Sequence, residues 1–125
     1  MSCLFQSIGT LIHKAHHDTR KEICDYMQSH LEHEHQGMRL KDWIHWQLHS
    51  PNPHQYIRKM RQPSEWGGAM ELAIATKVYK ADIRVIDGYG TPVAEFWFKD
   101  QSTARRRLIL RWTGNHYEGV NQTVL

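Results

Sequence analysis

A chain of 125 residues is long enough to bury one hydrophobic core and too short for two, so a single domain over residues 1–125 is expected. Apolar residues make up 40% and charged residues 23%, the proportions of an ordinary globular protein, and no apolar run approaches the ~20 residues of a membrane helix. The formal net charge of +3 is too small a basic excess to argue for nucleic acid.

Along the chain the patterns are helical first and stranded later. Leu4, Ile8, Leu11 and Ile12 recur at helical spacing and predict a helix opening at Cys3, with Ser2 as its N-cap. A second helix is predicted over about residues 19–35, with Ile23, Met27 and Leu31 on one face and Gly37 just past its end. Trp43, Ile44, Trp46 and Leu48 predict a short third helix stopped by Pro51 and Pro53, and Tyr56, Ile57 and Met60 one or two turns more. Residues 61–68 hold Pro63 and a Gly-Gly pair and read as a loop. Helical periodicity returns over residues 69–79 through Met70, Leu72, Ala73, Ala75, Thr76 and Tyr79.

Then the period shortens. Residues 82–86 read as a strand, 87–90 as a turn, and 93–98, 108–112 and 116–120 as three further strands, with Gly114-Asn115 turning into the last. Helices first and strands last predict an α+β fold, helices packed on a small, mostly antiparallel sheet.

Two cysteines, Cys3 and Cys24, are too few for a disulfide framework and fit free thiols in a reducing compartment. With no basic, apolar secretory leader at the start, a cytoplasmic location is expected. Cys24 lies beside the apolar face of the second helix and reads as a small buried hydrophobe. Cys3 admits that reading too. Its place at a helix start, however, puts a thiolate against unpaired N–H groups and the positive end of the dipole. A thiolate nucleophile needs a base, usually histidine. Nine of the ten histidines fall between His13 and His54, and His116 stands apart after a glycine turn. Taken alone, His116 is as fit for a structural role as for a catalytic one.

Three segments decide between these readings. Ser2-Cys3-Leu4-Phe5-Gln6-Ser7-Ile8 resembles the nucleophile box of the ovarian-tumour (OTU) family of deubiquitinating cysteine proteases. Trp66-Gly67-Gly68-Ala69-Met70-Glu71-Leu72-Ala73-Ile74-Ala75 resembles that family's middle motif, and Asn115-His116-Tyr117-Glu118-Gly119-Val120 its closing box. They stand in the family's order and span Cys3 to Val120. The resemblance implies a papain-like fold of OTU type, with Cys3 as nucleophile and His116 as base. It implies that Glu118 orients His116 from a position the family commonly fills with Asp or Asn, with the neighbouring Asn115 as the alternative if the turn folds its amide back towards the ring. It further implies that Trp66, Gly67 and Tyr117 line the channel for a Gly-Gly tail, with ubiquitin or a ubiquitin-like protein as partner. No cofactor is needed, and a monomer is expected. The family's Asp-Gly pair ahead of the nucleophile has its glycine position at Met1, so the domain would lack the start of the nucleophile loop. The alternative is therefore a catalytically impaired ubiquitin-binding module of the same fold. A papain-like protease of other specificity shares the Cys-then-His order but leaves the Trp-Gly-Gly box unexplained. The compact size suggests a viral or bacterial effector acting in the host cytoplasm.

Two other signals lead elsewhere. His13, His16 and His17, and His30, His33 and His35, could share helix faces, but no cysteine or carboxylate set completes a tetrahedral metal site, so no metal is expected. The run Arg105-Arg106-Arg107 reads as the junction of two elements, not as a nucleic-acid patch, and the five tryptophans are too scattered for a stacking platform.

Overall fold

The computed structural model describes residues 3–98 and 106–124; Ser2, read as the N-cap, and Arg105 lie outside the described residues. The helices are α1 (Cys3–Ile12), α2 (His16–Ser29), α3 (Leu40–Gln47), α4 (Pro53–Met60) and α5 (Ala69–Tyr79). A short hairpin of β1 (Glu34–His35) and β2 (Met38–Arg39) separates α2 from α3. The remaining strands, β3 (Ala81–Ile86), β4 (Pro92–Phe96), β5 (Arg106–Trp112) and β6 (Tyr117–Val124), form one sheet in the order β4-β3-β5-β6. The β3–β4 and β5–β6 pairs are antiparallel and the central β3–β5 pair is parallel. The sheet is thus mixed and mostly antiparallel, within an α+β architecture as expected.

Local chemistry accounts for the boundaries. Pro53 sits in the first turn of α4, where its missing N–H costs nothing, and the Asn52 side chain caps the helix by accepting from the Gln55 N–H at 3.2 Å. Pro53 therefore starts a helix as well as barring the previous one. The second helix stops at Ser29 and not at 35. There the His30 ring stacks on Tyr26 with centroids 3.7 Å apart, and Gln36 and Gly37, with φ of 54° and 86°, form the two-residue loop of a tight hairpin. Leu31 is buried as its spacing implied, but it reaches the core from a turn. At the other end, β6 begins at Tyr117, which leaves His116 in the connecting turn.

The core lies between the sheet and α1, α2 and α5. Leu4, Phe5 and Ile8 of α1 belong to one buried cluster with Ile83, Leu108 and Leu110 of the sheet and Leu72 and Ala75 of α5. Helix α1 lies directly along β6, and Gly119 permits the approach. A Cβ at that position would lie 2.9 Å from the Ser7 carbonyl oxygen and 3.0 Å from Leu11 Cγ. Backbone cannot yield as a side-chain tip can, so any larger residue must push helix and strand apart.

Gly119→Ala should therefore cost about 1–3 kcal/mol in urea unfolding. Gly88→Ala, in a turn where a Cβ meets nothing within 4 Å, should stay within about 0.5 kcal/mol of the parent. Equal midpoints for the two variants would show that the helix–strand approach is not tight.

Candidate active site

Three segments converge at one end of the sheet: the start of α1, the turn before β6, and the loop before α5. Cys3 is the first residue of α1, so it stands where the helix leaves N–H groups without intrahelical partners. One turn on, at i+4 and on the same helix face, Ser7 donates its hydroxyl to the Tyr117 carbonyl oxygen at 2.9 Å. Tyr117 follows His116 directly. A bond one helical turn from Cys3 thus ends one residue from His116, and the helix start and strand start are neighbours by construction.

His116 is exposed, and its backbone is held: its carbonyl accepts from the Thr113 N–H at 3.0 Å and the Thr113 hydroxyl at 3.2 Å. Gly114, at φ +98°, makes the tight turn that closes this loop. Tyr117 is half-buried, its ring packed on Trp112 with centroids 4.6 Å apart, and burial raises its phenol above the ordinary value. Glu118 lies on β6 opposite Arg111 and accepts from its guanidinium through Oε1 at 2.8 Å. That pairing was not legible in the sequence. It holds one carboxylate oxygen of the residue expected to orient His116.

Trp66 is 53% exposed on the loop before α5. Gly67 has a packing reason to be glycine: a Cβ there would lie 2.5 Å from Leu4 Cδ2 and 3.1 Å from the Phe5 ring. The loop is therefore pressed onto the first turn of α1, beside Cys3. Cys24, by contrast, is fully buried, and desolvation pushes its thiol up to about 11. It remains a neutral thiol at neutral pH and is a poor nucleophile.

Beneath the loop lies a buried polar network that sequence reasoning missed. Glu71, 1% exposed, reaches back to accept from the Gly68 N–H at 2.7 Å, the half of a capping box open to a glycine N-cap. Its other oxygen accepts from the Tyr56 hydroxyl at 2.5 Å. Burial raises the carboxyl pKa despite these bonds, and burial with the adjoining carboxylate raises the Tyr56 phenol as well. Arg20, the nearby counter-charge, donates to the carbonyls of Met60 at 2.6 Å and Glu65 at 2.9 Å, and lies 4.2 Å over the Phe5 ring. One guanidinium ties the end of α4, the Trp66 loop and α1 together. Two signals could have found it: the Gly-x-x-Glu spacing at a helix start, and an arginine three residues before Ile23 on an otherwise apolar stripe. Among the described residues, no three His, Cys, Asp or Glu side chains gather as a metal site.

Glu71→Ala leaves the Gly68 N–H and the Tyr56 hydroxyl without their acceptor and removes the negative charge nearest Arg20, and should cost about 3 kcal/mol in chemical denaturation. Glu71→Gln keeps an acceptor for Gly68 and should cost less than half as much. Equal losses would mean that the charge, and not the hydrogen-bond pattern, carries the network.

Comparison with known proteins agrees with this geometry. The family model for OTU-like cysteine proteases matches residues 2–119. Over 68 residues the chain is 31% identical to a ubiquitin thioesterase, OTU1, of Xenopus laevis, covering 54% of this chain and 22% of that protein. The chain thus spans well under half the length of the curated relatives it matches. An ovarian tumour domain solved in complex with ubiquitin superposes with a TM-score of 0.73 at 20% identity, over 97% of this chain and 64% of that one. The Hazara virus OTU bound to ubiquitin gives a TM-score of 0.59 at 20% identity, over 98% and 76%. At such identities the superpositions establish the fold, and the family match covers nearly the whole of the described chain. With its helix-start cysteine, its turn histidine and the Trp-Gly loop set at one end of the sheet, the chain belongs to the family of OTU-like cysteine proteases.

Proposed function

We propose that this chain is a deubiquitinating cysteine protease that hydrolyses the peptide or isopeptide bond after the C-terminal glycine of ubiquitin or a ubiquitin-like modifier. The observation that carries the reading is the seating of α1 on β6, which sets the start of the nucleophile helix beside the turn that holds His116. The relatives named ubiquitin thioesterase, and the neighbours solved with ubiquitin, support the same substrate class.

In this mechanism the Cys3 thiolate, favoured by the helix end, attacks the glycine carbonyl carbon. His116 as imidazolium gives its proton to the departing lysine or backbone amine as the C–N bond breaks, leaving a thioester. It then takes a proton from water as that water attacks the thioester, and the thiolate is restored with release of the ubiquitin carboxylate. Exposed Trp66 and half-buried Tyr117 flank the groove for the tail, and Gly67 keeps the Trp66 loop close to α1. Glu118 orients His116 through the oxygen that Arg111 does not hold. The enzyme works as a monomer in the cytoplasm, that of a host if the chain is a viral or bacterial effector.

A ubiquitin probe bearing a C-terminal electrophile, read by intact mass, tests this reading. The expected result is one adduct, lost in Cys3→Ala and kept within a few-fold in Cys24→Ala. Binding without an adduct would instead mark a ubiquitin-binding module, and no binding would sink both readings. On a hydrolysable reporter, Glu118→Gln should retain measurable turnover and Glu118→Ala less; an unchanged rate in both removes Glu118 from the mechanism.

A further inference from the structure

The turn that presents His116 is held from two sides, and one of the two anchors belongs to the nucleophile's own helix. Thr113, at the near side of the turn, holds the His116 carbonyl through its N–H at 3.0 Å and its hydroxyl at 3.2 Å. Ser7 holds the next carbonyl, that of Tyr117, at 2.9 Å. Consecutive peptide units after His116 are thus fixed, the first by its own loop and the second by α1. Ser7 is 5% exposed, so the bond is sheltered from water, and its own backbone oxygen is the atom nearest the vacant Cβ position of Gly119. The Tyr117 side chain is meanwhile packed on Trp112, with ring centroids 4.6 Å apart. Ser7 lies one turn from Cys3 on the same helical face.

We propose that Ser7 is a positioning residue for the Cys3–His116 pair: its hydroxyl locks the strand that follows the base onto the helix that opens with the nucleophile. The inference rests on the catalytic assignment above. It adds that the distance between the two catalytic groups is set by a hydrogen bond neither of them makes. A displacement of the order of 1 Å at such a pair costs up to about a hundredfold in rate. Loss of the hydroxyl should accordingly be felt in the chemistry before it is felt in substrate binding.

Ser7→Ala and Ser7→Cys, the second nearly isosteric with a weaker donor, would be assayed on a hydrolysable ubiquitin reporter. Each would also be followed by thermal unfolding and by iodoacetamide alkylation of the Cys24→Ala background from mildly acidic to mildly alkaline pH. The expected result is a kcat lowered about 10- to 100-fold in Ser7→Ala with KM nearly unchanged, an intermediate loss in Ser7→Cys, and an alkylation profile displaced toward higher pH. A lower melting temperature with unaltered kcat and alkylation profile would show a purely structural serine and overturn the inference. If Ser7→Ala does not fold, Ser7→Cys decides alone: wild-type kcat and profile in that variant overturn it. His116→Ala separates the two levels. Full activity there removes the catalytic assignment itself, whereas an inactive His116→Ala beside a fully active Ser7→Ala removes only the role given to Ser7.

Discussion

Helix α1 rests on β6 at a point where the strand has no side chain. Because Gly119 is bare, the Ser7 carbonyl oxygen can come within 2.9 Å of where a Cβ would stand, and the Ser7 hydroxyl can reach the Tyr117 carbonyl. Everything proposed for the site follows from that approach. The helix start and the strand start belong to opposite ends of the chain, residues 3 and 117, yet the contact makes them neighbours. Were the helix lifted by the thickness of one methyl group, the start of α1 would move away from the turn that carries His116.

The other wall of the site depends on a buried charge. Desolvating a carboxylate is costly, and at Glu71 the cost is only partly offset by a backbone N–H, a phenol and a nearby guanidinium, so burial still raises its pKa. An apolar core would hold α5 against α2 as well. What the polar network adds is direction: the Glu71 bond fixes the N–H of Gly68, and Arg20 fixes the carbonyl of Glu65, so both ends of the Trp66-Gly67 segment are tied down. The same guanidinium lies over Phe5, two residues from Cys3. Loop and helix are thereby indexed to one another by a single arginine.

Much of this was legible in the residues. The helix opening at Cys3 and the one over Ala69–Tyr79 fall where their apolar spacing says, because each has a full face to bury, and the second also has the Gly67-Gly68 break before it. The end of α2 was not, since Ile23, Met27 and Leu31 keep helical spacing through a place where the chain turns, and spacing alone does not record which conformation delivers a side chain to the core. The Gln36-Gly37 hairpin escaped for a related reason: its signal is a single glycine, and glutamine is an uncommon partner at a position with φ of 54°. At the site, the candidate residues were visible in the sequence, whereas the hydrogen-bonding partners around them were not. Ser7, Arg20, Tyr56 and Arg111 are ordinary in sequence and become specific only through partners 15 to 110 positions away in the case of Tyr56 and Ser7. Gly67 was read as leaving room for a substrate tail, and the structure gives it the closer duty of making room for Leu4.

The central claim is that Cys3 and His116 stand within bonding reach of one common group, held there by the packing of α1 on β6. A short bifunctional alkylating agent such as 1,3-dibromoacetone measures this directly, since it is captured first by the reactive thiol and then by whichever nucleophile lies beside it. The account predicts that peptide mapping of the folded protein finds the bridge between Cys3 and His116, and that prior unfolding abolishes it. A thiol adduct on Cys3 that never closes onto His116, or that closes onto another residue, would contradict the account.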